Sequence, residues 1–229
     1  MKKLLTAFIL CSVIIVGCKN GCGKKQSTQP GDDDSTALNW GELPDSLRLK
    51  EQAEAERLQK LSKDSVLTSL TKTVLTIFKN AEYTKLDSLI HPDEGIRFSP
   101  YATISDDDKQ FSKEAFHKLV TTDKNKKINW GTYDGSGDPI YLTPVEYFSK
   151  FVYDGNFVNP EKYDINNFVK TGNALNNLKS MYRDCDFTES YISGSKKYGG
   201  MDWKSVRLVF KQKDGKYYLV GIVHDQWTI

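Results

Sequence analysis

The C-terminal stretch MDWKSVRLVFKQKDGKYYLVGIVHDQWTI, residues 201 to 229, restricts the fold more than any other part of the sequence. Apolar and polar residues alternate from Trp203 to Lys211, which is typical of a β-strand with two different faces. Asp214-Gly215 is a favoured two-residue hairpin turn. The residues from Lys216 to Trp227 then return as a second strand. The sequence therefore predicts a long antiparallel hairpin.

Alternation divides the side chains of the return strand into two faces. One face is expected to hold Tyr218, Val220, Ile222 and His224. The other is expected to hold Tyr217, Leu219, Val223 and Asp225. Both sets are largely apolar in the middle of the strand, which indicates a strand that is covered on both sides. We therefore expect it to be central in its sheet.

Upstream of the hairpin the pattern changes to that of helices. Pro44 and Asp45 suit a first helical turn, and residues 50–60 are rich in strong helix formers but have only a thin apolar stripe. From Asp64 to Asn80, apolar residues recur at spacings of three and four, which predicts a core helix. Its apolar face would consist of Val66, Leu67, Leu70, Val74, Ile77 and Phe78. Coiled-coil association is the alternative, but this stripe covers few heptads.

Shorter elements are expected between this helix and the hairpin. The sequence predicts a short helix near residues 83–90, a strand over Ile96–Ser99, a helix through Phe111 to Leu119, and strands near 128–133 and 187–193. The Thr143-Pro144-Val145-Glu146 segment is a capping box with proline at the first helical position. The fold class is therefore α+β.

The first residues have the order of an export signal. Met1-Lys2-Lys3 is basic, and Leu4 to Val16 forms an apolar run of about thirteen residues, shorter than the roughly 20 that span a bilayer. The run ends in Ile15-Val16-Gly17-Cys18, which resembles the lipobox of bacterial lipoproteins. The resemblance implies cleavage after residue 17, a diacylglycerol thioether on Cys18 and an acylated amino end. The alternatives are an ordinary signal peptide and an uncleaved anchor.

Four segments follow from this interpretation: a signal peptide over 1–17, a flexible tether over 18–43, an exposed charged helix over 44–63 and a folded domain over 64–229. The tether is rich in Gly, Ser, Gln, Pro and Asp, and its Asp32 to Asp34 run is interpreted as solvated charge. Acyl chains on Cys18 would hold the protein on a membrane of the cell envelope. Lys19 is not the Asp associated with inner-membrane retention, which favours the outer membrane.

Composition excludes some classes of ligand. Lys and Arg total 32 against 30 Asp and Glu, a net charge of +2, so the chain lacks the uncompensated positive charge that nucleic acid binding needs. No Cys and His spacing suggests zinc, and no motif implies a cofactor. Cys22 and Cys185 remain after the leader and Cys18, and whether they pair is open.

The order of elements carries a second resemblance. Helices first, then a strand and a helix, then a long antiparallel run ending GKYYLVGIVHDQWTI, is similar to the nuclear-transport-factor-2-like (NTF2-like, SnoaL-like) α+β cone over residues 64 to 229. The resemblance implies a strongly curved antiparallel sheet that wraps around helices and leaves a cavity at its open end. A cystatin-like arrangement, with one helix laid on a sheet, is the alternative.

The same resemblance suggests where chemistry would occur, since enzymes of that superfamily place an Asp or His acid/base inside the cone, often with Tyr. His224 is the candidate catalytic residue, and the alternative is an inert histidine at a strand end. His224 and Asp225 point to opposite faces, so adjacency does not make them a dyad. His91, Asp134 and Asp225 are further candidates. The pocket candidates are Tyr101, Trp130, Tyr133, Tyr218, His224 and Trp227.

The expected function is a lipid-anchored, non-catalytic module that binds a small molecule, a glycan fragment or another envelope protein. The alternatives are a small acid/base enzyme of isomerase, cyclase or hydrolase type that uses His224, and a purely structural protein with a filled interior. The YDGSGDP segment, residues 133 to 139, alternates Asp134, Ser136 and Asp138 as in a calcium loop, but its glycines and proline explain the same residues as a turn.

Overall fold

The structure is a computed structural model that describes residues 45–228. Within them the α-helices are α1 (Asp45–Lys79), α2 (Lys113–Val120), α3 (Pro144–Phe151) and α4 (Leu178–Met181). The strands are β1 (Ile96–Ser99), β2 (Lys109–Phe111), β3 (Ile128–Thr132), β4 (Pro139–Leu142), β5 (Lys162–Ile165), β6 (Asp186–Ile192), β7 (Lys204–Lys213) and β8 (Lys216–Gln226). Two short 3-10 helices cover Tyr83–Ser88 and Lys196–Tyr198. The expectation of a mixed α+β fold is confirmed.

Helix α1 is longer than expected. The two helical segments that the sequence predicts are one continuous helix, because the intervening Leu61-Ser62-Lys63 contains no residue that breaks a helix. Residues 45–62 are exposed along the whole first half. The second half buries Leu67, Thr71, Val74, Leu75, Ile77 and Phe78. Val66, expected on the apolar face, is exposed, and Leu75 takes its place in the core.

Six strands form one sheet in the order β2-β1-β8-β7-β6-β5, and β3 pairs with β4 in a separate hairpin. All neighbours in the large sheet are antiparallel except β1 and β8, which are parallel. The β7–β8 hairpin turns at Asp214-Gly215, where both residues have positive φ, at 50° and 75°. Strand β8 lies between β1 and β7, which confirms the predicted central strand.

A β-bulge changes the faces of β8. Val209 pairs with Gly221 and Phe210 pairs with Leu219, so Val220 is an extra residue without a partner on β7. Because one inserted residue reverses the alternation, Leu219 and Ile222 belong to one core cluster and Val220 to the other. The predicted grouping of Val220 with Ile222, and of Leu219 with Val223, is therefore wrong.

The core lies between one face of the sheet and the helices. It is dominated by aromatic side chains, among them Phe98, Phe116, Trp130, Tyr147, Phe148 and Phe151. The rings of Trp130 and Tyr147 stack with centroids 4.0 Å apart. A smaller cluster on the opposite face consists of Ile104, Leu178, Phe187, Val209, Val220 and Val223.

Local capping agrees with the sequence. The Thr143 side chain accepts a hydrogen bond from the Glu146 backbone N–H, and the Glu146 side chain accepts one from the Thr143 backbone N–H. This is the predicted capping box at the start of α3.

None of the helices in the described residues is both long enough and apolar enough to cross a membrane. The predicted signal peptide, the lipobox at Cys18 and the tether lie outside the described residues.

Candidate functional site

A cleft of ≈ 530 Å³ opens between the chain that follows β1 and the β3–β4 turn. We call it the aspartate cleft. It is lined by Pro100, Tyr101, Thr103, Ser105, Asp107, Asp108, Gly131, Thr132, Tyr133, Asp134, Gly135, Ser136, Gly137 and Ala174. Two of the predicted pocket residues, Tyr101 and Tyr133, lie here together, as does Asp134.

The β3–β4 turn forms one wall of the cleft through its own hydrogen bonds. The Tyr133 backbone N–H donates to the Asp138 carbonyl at 2.8 Å, and the Gly137 N–H donates to the Tyr133 carbonyl at 3.0 Å. Gly135 and Gly137 have φ of 86° and 72°, which glycine adopts without steric cost. In the described residues no group of His, Cys, Asp or Glu side chains is arranged to hold a metal ion. The turn interpretation of YDGSGDP therefore fits better than a calcium loop.

Asp108 is the buried carboxylate of the cleft, with 8% of its surface exposed. The Ser99 hydroxyl and the Ser105 backbone N–H both donate to Oδ2, at 2.5 Å and 3.1 Å. Oδ1 is directed toward Gly131, since a Cβ built on that glycine would lie 3.9 Å from it. Burial raises the pKa of the Asp108 carboxyl above its ordinary value, and the two hydrogen bonds oppose that rise.

Tyr147 on α3 is fully buried in the aromatic core. No described residue offers it a hydrogen-bond partner. Burial raises the pKa of the Tyr147 hydroxyl well above its ordinary value, and the charges of Asp108 and Tyr101 add to the effect. Both of these residues line the cleft, whereas Tyr147 itself does not.

His224 has a different environment. Its ring is fully buried, packs edge-on against Phe151 at 5.8 Å and does not line the aspartate cleft. Nε2 lies 3.3 Å from Oδ1 of Asp154, whose Oδ2 is 2.7 Å from the Lys204 ammonium. Burial acts to raise the pKa of Asp154, but the hydrogen bonds and charges of His224 and Lys204 outweigh it and lower the pKa.

Asp225 belongs to a second network of buried charged side chains, on the other face of the sheet from His224. Its Oδ2 accepts a hydrogen bond from the Arg207 guanidinium at 2.7 Å, and Glu189 Oε1 accepts from the same nitrogen at 3.1 Å. The Lys170 carbonyl also accepts from it at 2.9 Å. All three charged side chains are at least 98% buried. Asp225 is thus a partner of Arg207.

The remaining pocket candidates do not meet. Trp130 is buried in the core and donates to the Leu142 carbonyl at 3.0 Å. Tyr218 packs against His91 at the far end of β8, with ring centroids 5.8 Å apart. Trp227 is exposed and follows the end of β8. The expected convergence of six residues is therefore wrong, because β8 carries Tyr218 and Trp227 to opposite ends of the sheet.

Sequence reasoning missed Asp107, Asp108 and Tyr147. The helix predicted through Phe111 to Leu119 begins only at Lys113, since Phe111 ends strand β2, and Asp107 and Asp108 lie in the loop between β1 and β2. The available signal was a run of three acidic residues, SDDDK, directly before a segment of buried aromatic residues.

A second cleft, of ≈ 450 Å³, provides a contrast on the opposite face of the sheet. It contains both signs of charge: Lys211 forms an ion pair with Glu94, and Arg97 donates to the Ser105 carbonyl at 2.8 Å and to Gln110 at 3.0 Å. Cys185 lies at its edge, and burial raises the pKa of its thiol to about 11.

Comparison with known proteins finds a similar solved structure and no matching family. No protein-family model matches the chain, and no curated protein matches it. Among solved structures, the chain is similar to one whose name begins with Rd1NTF2_05, in a multiply substituted variant. The similarity covers 71% of this chain and 98% of that one, with 12% sequence identity and a TM-score of 0.31. The candidate site is therefore interpreted from the side chains of this chain alone.

Proposed function

We propose that this chain is a lipid-anchored protein of the cell envelope whose folded part binds a ligand in the aspartate cleft without catalysing a reaction. The anchor would be the acylated Cys18, and the outer membrane is the expected location. The folded part, residues 64 to 229, is proposed to be an NTF2-like cone with a curved sheet. The lipobox residues and the order of helices before a long terminal hairpin support these two assignments.

The cleft itself is the observation that carries the binding function. It brings two tyrosine rings, several hydroxyl groups and three carboxylates around one space, so polar groups that can orient a ligand converge there. Asp108 is held there at the cost of burial, with one oxygen left for a ligand. Ser99 and Ser105 satisfy only Oδ2, so the carboxylate retains hydrogen-bonding capacity that a ligand can use.

The geometry does not favour the enzyme alternative at His224. A general base must reach substrate through a cavity, and this ring is enclosed by Phe151 and held by Asp154. The purely structural alternative predicts an interior filled with aromatic residues and no pocket. The interior is filled in this way, but the aspartate cleft opens beside it.

Anchoring is tested by metabolic labelling with radioactive palmitate. The wild-type chain is expected to incorporate label in the membrane fraction, and Cys18→Ser is expected to lose it. Cys185→Ser is the matched control and should retain it. Label that persists in Cys18→Ser, or that is missing from the wild type, would overturn the lipoprotein assignment.

Binding is tested by native mass spectrometry of the full-length protein purified in detergent. We expect a small molecule to be retained by the wild type and by Tyr141→Ala, which alters an exposed tyrosine of β4 that does not line the cleft. We expect Tyr133→Ala to lose it. Equal retention by both variants would show that the molecule is bound elsewhere.

A further inference from the structure

We propose that the ligand of the aspartate cleft is a small organic cation, an amine or alkylammonium group carried on a compact apolar or aromatic body. This inference rests on the proposed binding function and specifies the chemical class of its ligand. It follows from three properties of the cleft: the sign of its charges, the unused oxygen of Asp108 and the aromatic rings beside them.

The charged side chains that line the cleft all have one sign, although the Lys150 ammonium, which does not line it, lies 3.1 Å from the Tyr133 hydroxyl. Its lining contains Asp107, Asp108 and Asp134, and among the described residues that line it there is no Lys, Arg or His. The whole chain has a net charge of +2, so this negative charge is local. A concave surface lined by one sign of charge concentrates ligands of the opposite sign.

Asp108 gives this charge a fixed position. Its side chain is more than nine-tenths buried, and both described donors reach Oδ2. Oδ1 is left on the Gly131 side, inside the cleft lining. Gly131 itself adds no side chain there, and its φ of 125° excludes most other residues. Oδ1 accepts no hydrogen bond from the described residues, and an oxygen of this kind matches the N–H group of an ammonium ligand.

Two tyrosines supply aromatic surface beside the carboxylates. Tyr101 and Tyr133 both line the cleft and are half-buried. Tyr133 already accepts a cation in the resting protein, since the Lys150 ammonium from α3 lies 4.4 Å from its ring centroid and 3.1 Å from its hydroxyl. Aromatic rings next to carboxylates form the usual recognition surface for alkylammonium groups.

A metal ion does not fit the same residues. Calcium takes about six to eight oxygen ligands around one point. The described residues include no such convergence of acidic side chains, so the three carboxylates are distributed around the cleft. A space of ≈ 530 Å³ with distributed charge suits a molecule with an ammonium group and a body.

The test uses the full-length protein in detergent and four probes: benzylammonium, benzyl alcohol, benzoate and Ca²⁺. Binding is followed by NMR shifts of the Gly131, Gly135 and Gly137 amides, which line the cleft. We expect benzylammonium to shift these amides and to bind more tightly than the other probes. Asp107→Asn and Asp134→Asn should each weaken it about three- to tenfold, as expected for loss of one charge at a partly exposed site.

Asp106→Asn is the matched control, because Asp106 precedes Asp107 but does not line the cleft. It should leave the affinity for benzylammonium unchanged. Equal losses in Asp106→Asn and Asp107→Asn, or saturation of the same amides by Ca²⁺, would overturn the proposal. If benzyl alcohol or benzoate binds there as tightly as benzylammonium, the proposal that the ligand is a cation is overturned. The proposed binding function of the cleft then still stands. If no probe binds and native mass spectrometry finds no retained molecule, both are overturned.

Discussion

Two groups of carboxylates in this protein lie in opposite chemical situations. Glu189 and Asp225 are almost fully buried and share the Arg207 guanidinium, whereas Asp107, Asp108 and Asp134 surround a cleft with no cation among its lining residues. The first group is closed, because each carboxylate accepts a hydrogen bond from Nη2 of Arg207, although Nε and Nη1 of that guanidinium have no partner among the described residues. The second is open. The difference separates charges that maintain the fold from charges that remain available to a ligand.

The closed network should be the most sensitive to substitution. Arg207→Met leaves two buried carboxylates without a cation, and we expect it to lower the free energy of unfolding by about 3–5 kcal/mol. Chemical denaturation followed by circular dichroism measures the change. Lys213→Met, which breaks the exposed ion pair with Asp93, is the control and should have a much smaller effect. Equal effects would contradict the distinction between closed and open charges.

The Asp154 network should show a smaller effect that depends on pH. Asp154→Asn removes the carboxylate that pairs with Lys204 and His224, and we expect a loss of about 1–2 kcal/mol at pH 7. Because the folded-state pKa of Asp154 lies below its ordinary value of 3.8, its contribution is present above about pH 4 and disappears as the pH falls through the folded pKa.

Urea denaturation of the wild type and Asp154→Asn at pH 7 and at pH 3 tests this dependence. The difference in stability should be smaller at pH 3. A difference that stays constant between the two pH values would show that the Asp154 carboxylate is not stabilised by its charge.

Tyr147 offers a test in which the substitution is expected to increase stability. Its buried hydroxyl has no partner, so Tyr147→Phe should raise the free energy of unfolding of the ligand-stripped protein by about 1 kcal/mol. Thr71→Val is the control, because the Thr71 hydroxyl bonds the Leu67 carbonyl and the Thr188 hydroxyl, both at 2.8 Å. The free energy of unfolding of Thr71→Val should be about 1 kcal/mol lower than that of the wild type. A loss in Tyr147→Phe would mean that its hydroxyl is satisfied.

The open carboxylates should be the least important for stability. Asp134 is exposed in the β3–β4 turn and has no ion pair with a described residue. Asp134→Asn is therefore expected to change the free energy of unfolding by less than about 0.5 kcal/mol. Thermal unfolding without ligand measures it. A large loss would place Asp134 among the structural charges.

Local chemistry made much of the fold predictable. The Asp214-Gly215 turn, the capping box at Thr143 and strand β1 over Ile96–Ser99 all occur where the sequence predicts them. In each case the signal lies within a few neighbouring residues, such as a turn that tolerates positive φ or a side chain that reaches a nearby backbone N–H.

Features that depend on distant residues were not predictable in this way. The bulge at Val220 and the parallel pairing of β1 with β8 are set by packing across the sheet. Asp108, in the loop after β1, accepts a hydrogen bond from Ser99 at the end of that strand. No periodicity marks one aspartate of SDDDK for burial. The candidate site was therefore half predicted: Tyr101, Tyr133 and Asp134 were recognised, while Asp107, Asp108 and Tyr147 were missed.

The exposed first half of α1 has a mechanical consequence. From Asp45 to Leu67, the first buried position, a helix rises about 33 Å at 1.5 Å per residue. Such a helix behaves as a stiff lever whose far end is continuous with the core. A force applied to the N-terminal end of this helix would therefore change the orientation of the folded part as well as its distance from the point of attachment. The direction in which the aspartate cleft faces would then follow the tilt of the helix.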